Sequence, residues 1–360
     1  MSPKKVIVSL SGGVDSSIAL LLLKQQDYDV TAVFMKNWED DDSDDFCNAE
    51  QDIKDAEAIC ENLNTPLKKV NFSTEYWDHV FSHFLKIYQL GQTPNPDVLC
   101  NKKIKFETFL NYSKKLGGDF IATGHYVRKR ILKNGECQLL KGVDPNKDQS
   151  YFLYMLNQAQ LKLSLFPIGK FIKPDVRAIA KKYELITHNK KDSTGICFIG
   201  ERKLKVFLKR YLPQKHGEIH DEQGRIIGKH DGLIYYTIGQ RKGLGIGGMM
   251  NASEKPWFVV NKDIRNNRLI VVQGQNHPML FKRTLKATNL NWISGRVSAN
   301  PLYCHAKIRY RQDDQNCTVV ANNSNKSAVV NFQTPQRAVT PGQSIVFYDN
   351  EVCLGGGIIV

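Results

Sequence analysis

At 360 residues the chain exceeds the usual core of about 100 to 200 residues and is expected to form two or three domains. Its 41% hydrophobic and 24% charged residues are ordinary for a globular protein, and no stretch approaches the roughly 18 consecutive apolar residues of a membrane span. The net charge of +14 is uneven, because residues 201–360 hold 23 Lys and Arg against 11 Asp and Glu while residues 1–200 are nearly balanced. A positive field confined to one region is the footprint of phosphate-backbone binding, although a merely solubilising surface would give the same count.

Residues 4–10 (KKVIVSL) form a β-branched run that predicts a first strand; the run is short and lacks a small-residue cleavage site, so it does not read as an export signal. A chain without such a signal meets a reducing cytosol, and the eight cysteines (Cys47, Cys60, Cys100, Cys137, Cys197, Cys304, Cys317, Cys353) are expected mostly as thiols. No CxxC pair occurs, which argues against zinc ribbons and cysteine-rich clusters. Residues 16–24 (SSIALLLLK) are apolar at helical spacing, 30–35 (VTAVFM) read as a buried strand, 50–63 as an amphipathic helix and 67–72 as a third strand. The alternation continues with a helix at 106–116 and a strand at 120–123, which predicts a parallel sheet covered on both faces, with ligands at the strand carboxyl ends. Six acidic residues (Glu39, Asp40, Asp41, Asp42, Asp44, Asp45) are expected in an exposed loop; consecutive carboxylates cannot all converge on one ion, and no metal site is assigned there.

Beyond about Gly200 the texture changes. Residues 203–211 read as a basic amphipathic helix, followed by hairpin signals at 221–224 (DEQG) and 229–232 (KHDG). From about Asn276 only short alternating strands remain, at 305–310, 318–321, 328–332, 344–348 and 357–360, a pattern that suggests a small closed β-barrel. The expected fold class is therefore α/β: an N-terminal parallel-sheet domain over 1–200, a small mixed central domain over 201–275 and a C-terminal β-barrel over 276–360.

The strongest chemical signal is Ser11-Gly12-Gly13-Val14-Asp15-Ser16-Ser17, set between the first strand and the first helix. Two glycines let successive amides point at one spot, the helix start adds partial positive charge, and small hydroxyls complete an anion cradle. There is no GxxxxGK[ST] motif; the loop instead resembles the SGGxDS loop of the PP-loop ATPases, which adenylylate a substrate oxygen and release pyrophosphate. The literal GxGxxG from Gly243 to Gly248 is followed by Met-Met-Asn-Ala-Ser and Pro256 rather than by a helix, and reads as a flexible loop.

Thr93-Pro94-Asn95-Pro96-Asp97-Val98-Leu99-Cys100-Asn101 brackets an asparagine with prolines and is expected to be a rigid loop, with Cys100 at the start of a helix from about Lys102. The helix start and Lys102, Lys103 and Lys105 would favour thiolate there, although Cys100 taken alone reads better as a buried inert thiol. A second cysteine lies in Asp192-Ser193-Thr194-Gly195-Ile196-Cys197-Phe198-Ile199-Gly200, flanked by glycines. Together with the glycine loop, Gly124-His125-Tyr126, the segment 147–153 (KDQSYFL), 236–245 (YTIGQRKGLG) and Arg309-Tyr310, these motifs resemble the tRNA-specific 2-thiouridylases over nearly the whole chain.

The resemblance implies that Ser9, Leu10, Ser11, Gly12, Gly13, Val14, Asp15 and Ser16 hold ATP, with Met35 and Gly124 beside the adenosine and Mg²⁺ on the pyrophosphate. It implies a persulfide on Cys197, supplied by a cysteine desulfurase or sulfur-relay protein, with Cys100 releasing the sulfur and leaving a disulfide, or equally assisting by liberating hydrosulfide. Asp97 would shuttle a proton, or merely cap the following helix. Asn95, Pro96, Asp97, His125, Lys147, Asp148, Gln149, Arg309, Tyr310 and Gln343 are placed on the tRNA by the same resemblance, in a cytoplasmic, monomeric enzyme with no membrane partner. Arg309 or Tyr310 would be exposed by strand alternation in any case. Another PP-loop activator, or a non-catalytic tRNA-binding protein with a relic loop, are the competing readings.

Overall fold

A computed structural model describes residues 3–38, 48–192, 204–246, 255–297, 299–322, 324 and 326–360. Strand β1 (Lys5–Ser9) lies at the centre of a parallel sheet between β2 (Asp29–Lys36) and β4 (Phe120–Ala122), with β3 (Leu67–Asn71) outside β2 and β7 (Ser164–Leu165) outside β4. Its side chains alternate between two apolar layers. Val6 and Val8 pack with Leu20 and Leu23 of helix α1 (Val14–Lys24) and with Ala56 and Ile59 of α2 (Asn48–Asn62), whereas Ile7 faces the layer that holds Phe81 and Phe109. On its outer side α1 meets Val176 and Ala180 of the helix Lys173–Lys182, so it is apolar nearly all round.

The expected order of strands and helices up to residue 123 is thus present. Its limits differ in one informative place: the helix anticipated from Lys102 starts at Pro96, and helical structure runs on to Lys115. Pro96 occupies the first helical position, where its fixed φ favours a helix and its missing N–H costs nothing, so the second proline of the motif starts regular structure rather than preventing it.

Strands β8 (Gly217–His220), β9 (Ile226–His230), β10 (Trp257–Asp263) and β11 (Arg268–Gln273) form a second sheet in the order β10-β11-β8-β9. The expected basic helix is present as Leu204–Lys209. The half-buried Lys262 ammonium donates to the Gly91 carbonyl at 2.9 Å, tying this sheet to the N-terminal helical layer. Gly243 and Gly245 take positive φ, and between them Leu244 is buried in the core of this sheet with Ile246 packed against it, so the part of the GxGxxG segment up to Ile246 is anchored; Gly247 and Gly248 lie outside the described residues, as do the acidic residues 39–45.

The barrel is antiparallel and closed: β12 (Phe281–Trp292), β15 (Ser327–Arg337), β14 (Gln315–Asn322), β13 (Leu302–Lys307), β16 (Ser344–Asp349) and β17 (Val352–Ile359) follow one another, and β17 pairs back to β12. Alternate residues such as Leu285, Val319, Val330 and Phe347 fill its interior. One hairpin was not anticipated. Strands β5 (Val127–Ile131) and β6 (Cys137–Lys141) belong to the N-terminal segment, yet β6 pairs with β17 through Leu140 opposite Val352 and Leu139 opposite Cys353. The Asn134-Gly135 turn is a hairpin signal, but the basic VRKRI strand masks it and its partner lies more than 200 residues downstream.

Candidate nucleotide site and thiol segment

The glycine loop leaves the carboxyl end of β1 and is fastened to the sheet where the Leu10 amide donates to the Val33 carbonyl at 2.9 Å. Gly12 has φ +70°, and a Cβ on it would collide with the Asp52 carbonyl of α2. Gly13 precedes α1 in extended conformation with no side chain capping the first turn, so the helix-start amides are left to a ligand. The hydroxyls fold inward: Ser16 Oγ donates to the Gly13 carbonyl at 3.0 Å and accepts from the Ser11 amide at 3.1 Å, and Ser17 Oγ donates to Gly13 at 2.8 Å. From behind, the Lys190 ammonium donates to the Gly12 carbonyl at 3.0 Å and pairs with Asp52 at 2.6 Å and with Asp55. This arrangement fits the triphosphate of a nucleotide.

Met35, on β2, and Gly124, just beyond β4, flank β1 on its two sides. A Cβ on Gly124 would lie 2.8 Å from Asp15 C and Ser16 N, so that segment can touch the first turn of α1 only because it lacks a side chain. The predicted nucleotide residues from Ser9 to Ser16 are therefore brought together with Met35 and Gly124 at the carboxyl edge of the sheet, the expected place for a ligand.

Asp15 points away into an ion network that sequence reading missed. Both its oxygens accept from Lys173 Nζ at 2.8 Å, and Oδ1 also accepts from the Tyr126 hydroxyl at 2.7 Å. The same Lys173 nitrogen lies 2.7 Å from Asp192 Oδ1, and Asp192 further accepts from Lys147 at 2.6 Å and Arg177 at 2.9 Å. Burial alone would raise the Asp192 pKa, but the hydrogen bonds from Lys147 and Lys173 hold it down at about 2. Burial, and then the Asp15 charge, push the Tyr126 hydroxyl well above the usual phenol range. Nothing in the local sequence around Lys173 announces this role, because its partners are 158 and 19 residues away.

The thiol segment begins with Thr93 and Pro94, which are gripped by the turn between β15 and β16. The Thr93 amide donates to the Pro341 carbonyl at 2.9 Å, and the Gln343 amide donates to the Thr93 and Pro94 carbonyls at 2.9 and 3.1 Å. Asn95 is the residue before the helix and hydrogen-bonds the buried Tyr151 hydroxyl. Asp97 lies half-buried in the first turn, and Cys100 follows on the inner face of the helix, 1% exposed among Val80, Phe84, Ile104 and Phe106. Cys100 is thus one turn into the helix rather than at its start. Cys197 and Cys47 lie outside the described residues. Cys60, Cys137, Cys304, Cys317 and Cys353 carry no disulfide, and Cys304 and Cys317 face each other across β13 and β14 with sulfurs 3.8 Å apart.

Several residues expected on RNA hold the protein to itself. Asp148 is buried and accepts from the Gly142 and Ser150 amides at 3.0 and 3.1 Å, and Gln149 accepts from the Tyr126 amide at 2.9 Å. His125 is buried with Nδ1 2.8 Å from Thr123 Oγ1; burial, then the Lys105 charge, lowers its pKa well below the usual value and keeps the ring neutral. The exposed Arg309 donates to the Ala338 carbonyl at 3.1 Å, and the Tyr310 ring packs 4.5 Å from that of Phe152. Among the described residues no group of three or more His, Cys, Asp or Glu side chains is placed to hold a metal ion, and no helix is long and apolar enough to cross a membrane.

A parallel sheet with an uncapped glycine loop ahead of its first helix, joined to a small sheet and a closed barrel, defines a nucleotide-binding protein of the PP-loop kind. Residues 4–201 match the profile described as tRNA methyl transferase HUP domain, residues 205–273 the tRNA methyl transferase PRC-barrel domain, and residues 282–359 the aminomethyltransferase beta-barrel domain. Curated relatives named tRNA-specific 2-thiouridylase MnmA are 62% identical in Francisella philomiragia subsp. philomiragia and 61% identical in Francisella tularensis subsp. novicida, each over all of both chains. The chain belongs to the tRNA-specific 2-thiouridylase family. Among solved structures, NMN synthetase from Francisella tularensis aligns at 17% identity with a TM-score of 0.32, covering 53% of this chain and 67% of that one.

Proposed function

We propose that the chain is an ATP-dependent tRNA-uridine 2-sulfurtransferase, converting the wobble uridine of Lys, Glu and Gln tRNAs to 2-thiouridine. The observation that carries this reading is the glycine loop: a strand end, an uncapped helix start and a Gly12 with no room for a side chain make a triphosphate cradle without a Walker lysine. The domain descriptions speak of methyl and aminomethyl transfer; the full-length relatives speak of thiolation, and a triphosphate cradle gives thiolation the better physical account.

Replacing the C2 oxygen of uridine by sulfur needs a leaving group, which ATP supplies by converting that oxygen into an adenylate. Ser9 to Ser16 are assigned to the phosphates, Met35 and Gly124 to the adenosine, and Mg²⁺ enters with the phosphates, held largely by their oxygens and water. In the reading adopted here a persulfide on Cys197, loaded by a desulfurase or relay protein, attacks C2 and expels AMP. Cys100 then attacks the Cys197 sulfur, the S–S bond breaks toward the uridine, and a Cys100–Cys197 disulfide forms that an external thiol reduces by two electrons. Because Cys100 is buried among apolar side chains, its helix must shift for that step. Asp97, three residues before Cys100, is assigned the proton transfer.

For the RNA, Lys147 and Arg309 offer charge, and Asn95, Pro96, His125, Asp148, Gln149, Tyr310 and Gln343 shape the surface that receives the extruded base. The three-domain division at about 200 and 275, a cytoplasmic location and a monomeric state belong to this reading. The test is nucleoside mass spectrometry after incubating the protein with unmodified tRNA, ATP, Mg²⁺ and a sulfur source. With a persulfide donor Cys100→Ser and Cys197→Ser are each expected to abolish 2-thiouridine while tRNA binding stays within about three-fold; full turnover by either removes that cysteine from the mechanism.

A further inference from the structure

The geometry points to Lys173 as a positioning residue that ties the nucleotide loop to the chain entering the Cys197 segment. This inference rests on the sulfur-transfer reading above and extends it to a residue outside the motifs that carry that reading. A single ammonium, 8% exposed, reaches carboxylates from two regions 177 positions apart in sequence: both oxygens of Asp15 at 2.8 Å and Asp192 Oδ1 at 2.7 Å. The Lys173 side chain is nearly buried while Asp15 and Asp192 stay partly in contact with water, so the ammonium depends on these two carboxylates for its hydrogen bonds and draws both to one point.

Asp15 lies in the first turn of α1, on the loop assigned to ATP. Asp192 is the last described residue before the stretch that carries Cys197, which follows five positions later. Five residues span at most about 18 Å. Anchoring Asp192 to the nucleotide loop therefore limits, by chain length alone, how far Cys197 can lie from that loop. Lys147 and Arg177 hold the same carboxylate from the other side, so the anchor is braced. Confinement of this kind lowers the entropic cost of bringing a nucleophile to its target. It matters only for sulfur delivered by Cys197, because free sulfide reaches the activated base without it.

That difference supplies the experiment. The full-length protein is preloaded with polysulfide, which transfers one neutral sulfur atom to the Cys197 thiolate and leaves a polysulfide shorter by one. Single-turnover 2-thiouridine formation with tRNA and Mg-ATP is then compared with formation by unloaded protein in excess inorganic sulfide. The ratio of the persulfide to the sulfide route is expected to fall by about ten-fold or more in Asp192→Asn and in Lys173→Met, with no further fall in the double variant, since both break one bridge. Asp192→Glu, which retains the carboxylate, is expected to recover most of the ratio. An unchanged ratio in Asp192→Asn, or a double variant whose loss is the product of the two single losses, overturns the proposal. Failure of the unsubstituted protein by both routes would instead sink the sulfur-transfer reading itself.

Discussion

Gly12 illustrates how much a single backbone angle decides. At φ +70°, with the Asp52 carbonyl packed where a side chain would begin, it has no tolerated replacement, and its conformation is what turns the following amides toward one point. Gly12→Ala is expected to raise the KM for ATP by about ten-fold or more and to lower thermal stability; ATP titration and a melting curve on the same preparation check both. This residue was legible from sequence, because a strand, SGGVDS and a helix follow one another within 20 residues and the interaction is local. Lys173 was not. Its meaning depends on Asp15 and Asp192, which only the folded chain brings to one nitrogen. His125, Asp148 and Gln149 are intermediate cases: the resemblance puts them on the tRNA, whereas the hydrogen bonds they make here tie them to Thr123, Gly142 and Tyr126 of the chain itself.

At the scale of elements, the helix that carries Asp97 and Cys100 takes its start from Pro96 and its placement from the barrel. The turn at 341–343 closes on Thr93 so tightly that a Cβ on Gly342, which has φ +89°, would lie 2.9 Å from both Thr93 N and Thr93 O. The reading of two prolines as a bar to regular structure failed because Pro at the first helical position is favourable, a distinction that depends on one residue of register. Gly342→Ala is expected to push this clamp open: 2-thiouridine formation should fall by about ten-fold or more while ATP affinity, set by the glycine loop, stays within about two-fold. Retained thiolation with a normal melting temperature would show that the barrel does not position the thiol helix.

For the whole molecule, the charge asymmetry visible in composition survives as two basic β modules beside a nearly neutral nucleotide-binding domain. If these modules meet about six RNA phosphates, tRNA affinity should fall by orders of magnitude between about 50 and 200 mM salt; filter-binding across that range checks it, and a flat response would assign the basic surface to something else. The closed barrel was legible from alternating short strands, whereas the seam between β6 and β17 was not, since pairing over more than 200 positions leaves no local trace. That seam has a consequence for biogenesis. On a ribosome adding about 5 to 20 residues per second, the hairpin at 127–141 is finished roughly 10 to 40 seconds before β17 is made. Throughout that interval β6 has an unpaired edge on the side where β17 will add, while the charged VRKRI strand covers its other side and guards the outer edge of the hairpin, so a neighbouring polypeptide has one edge open to it until the chain's own last strand arrives.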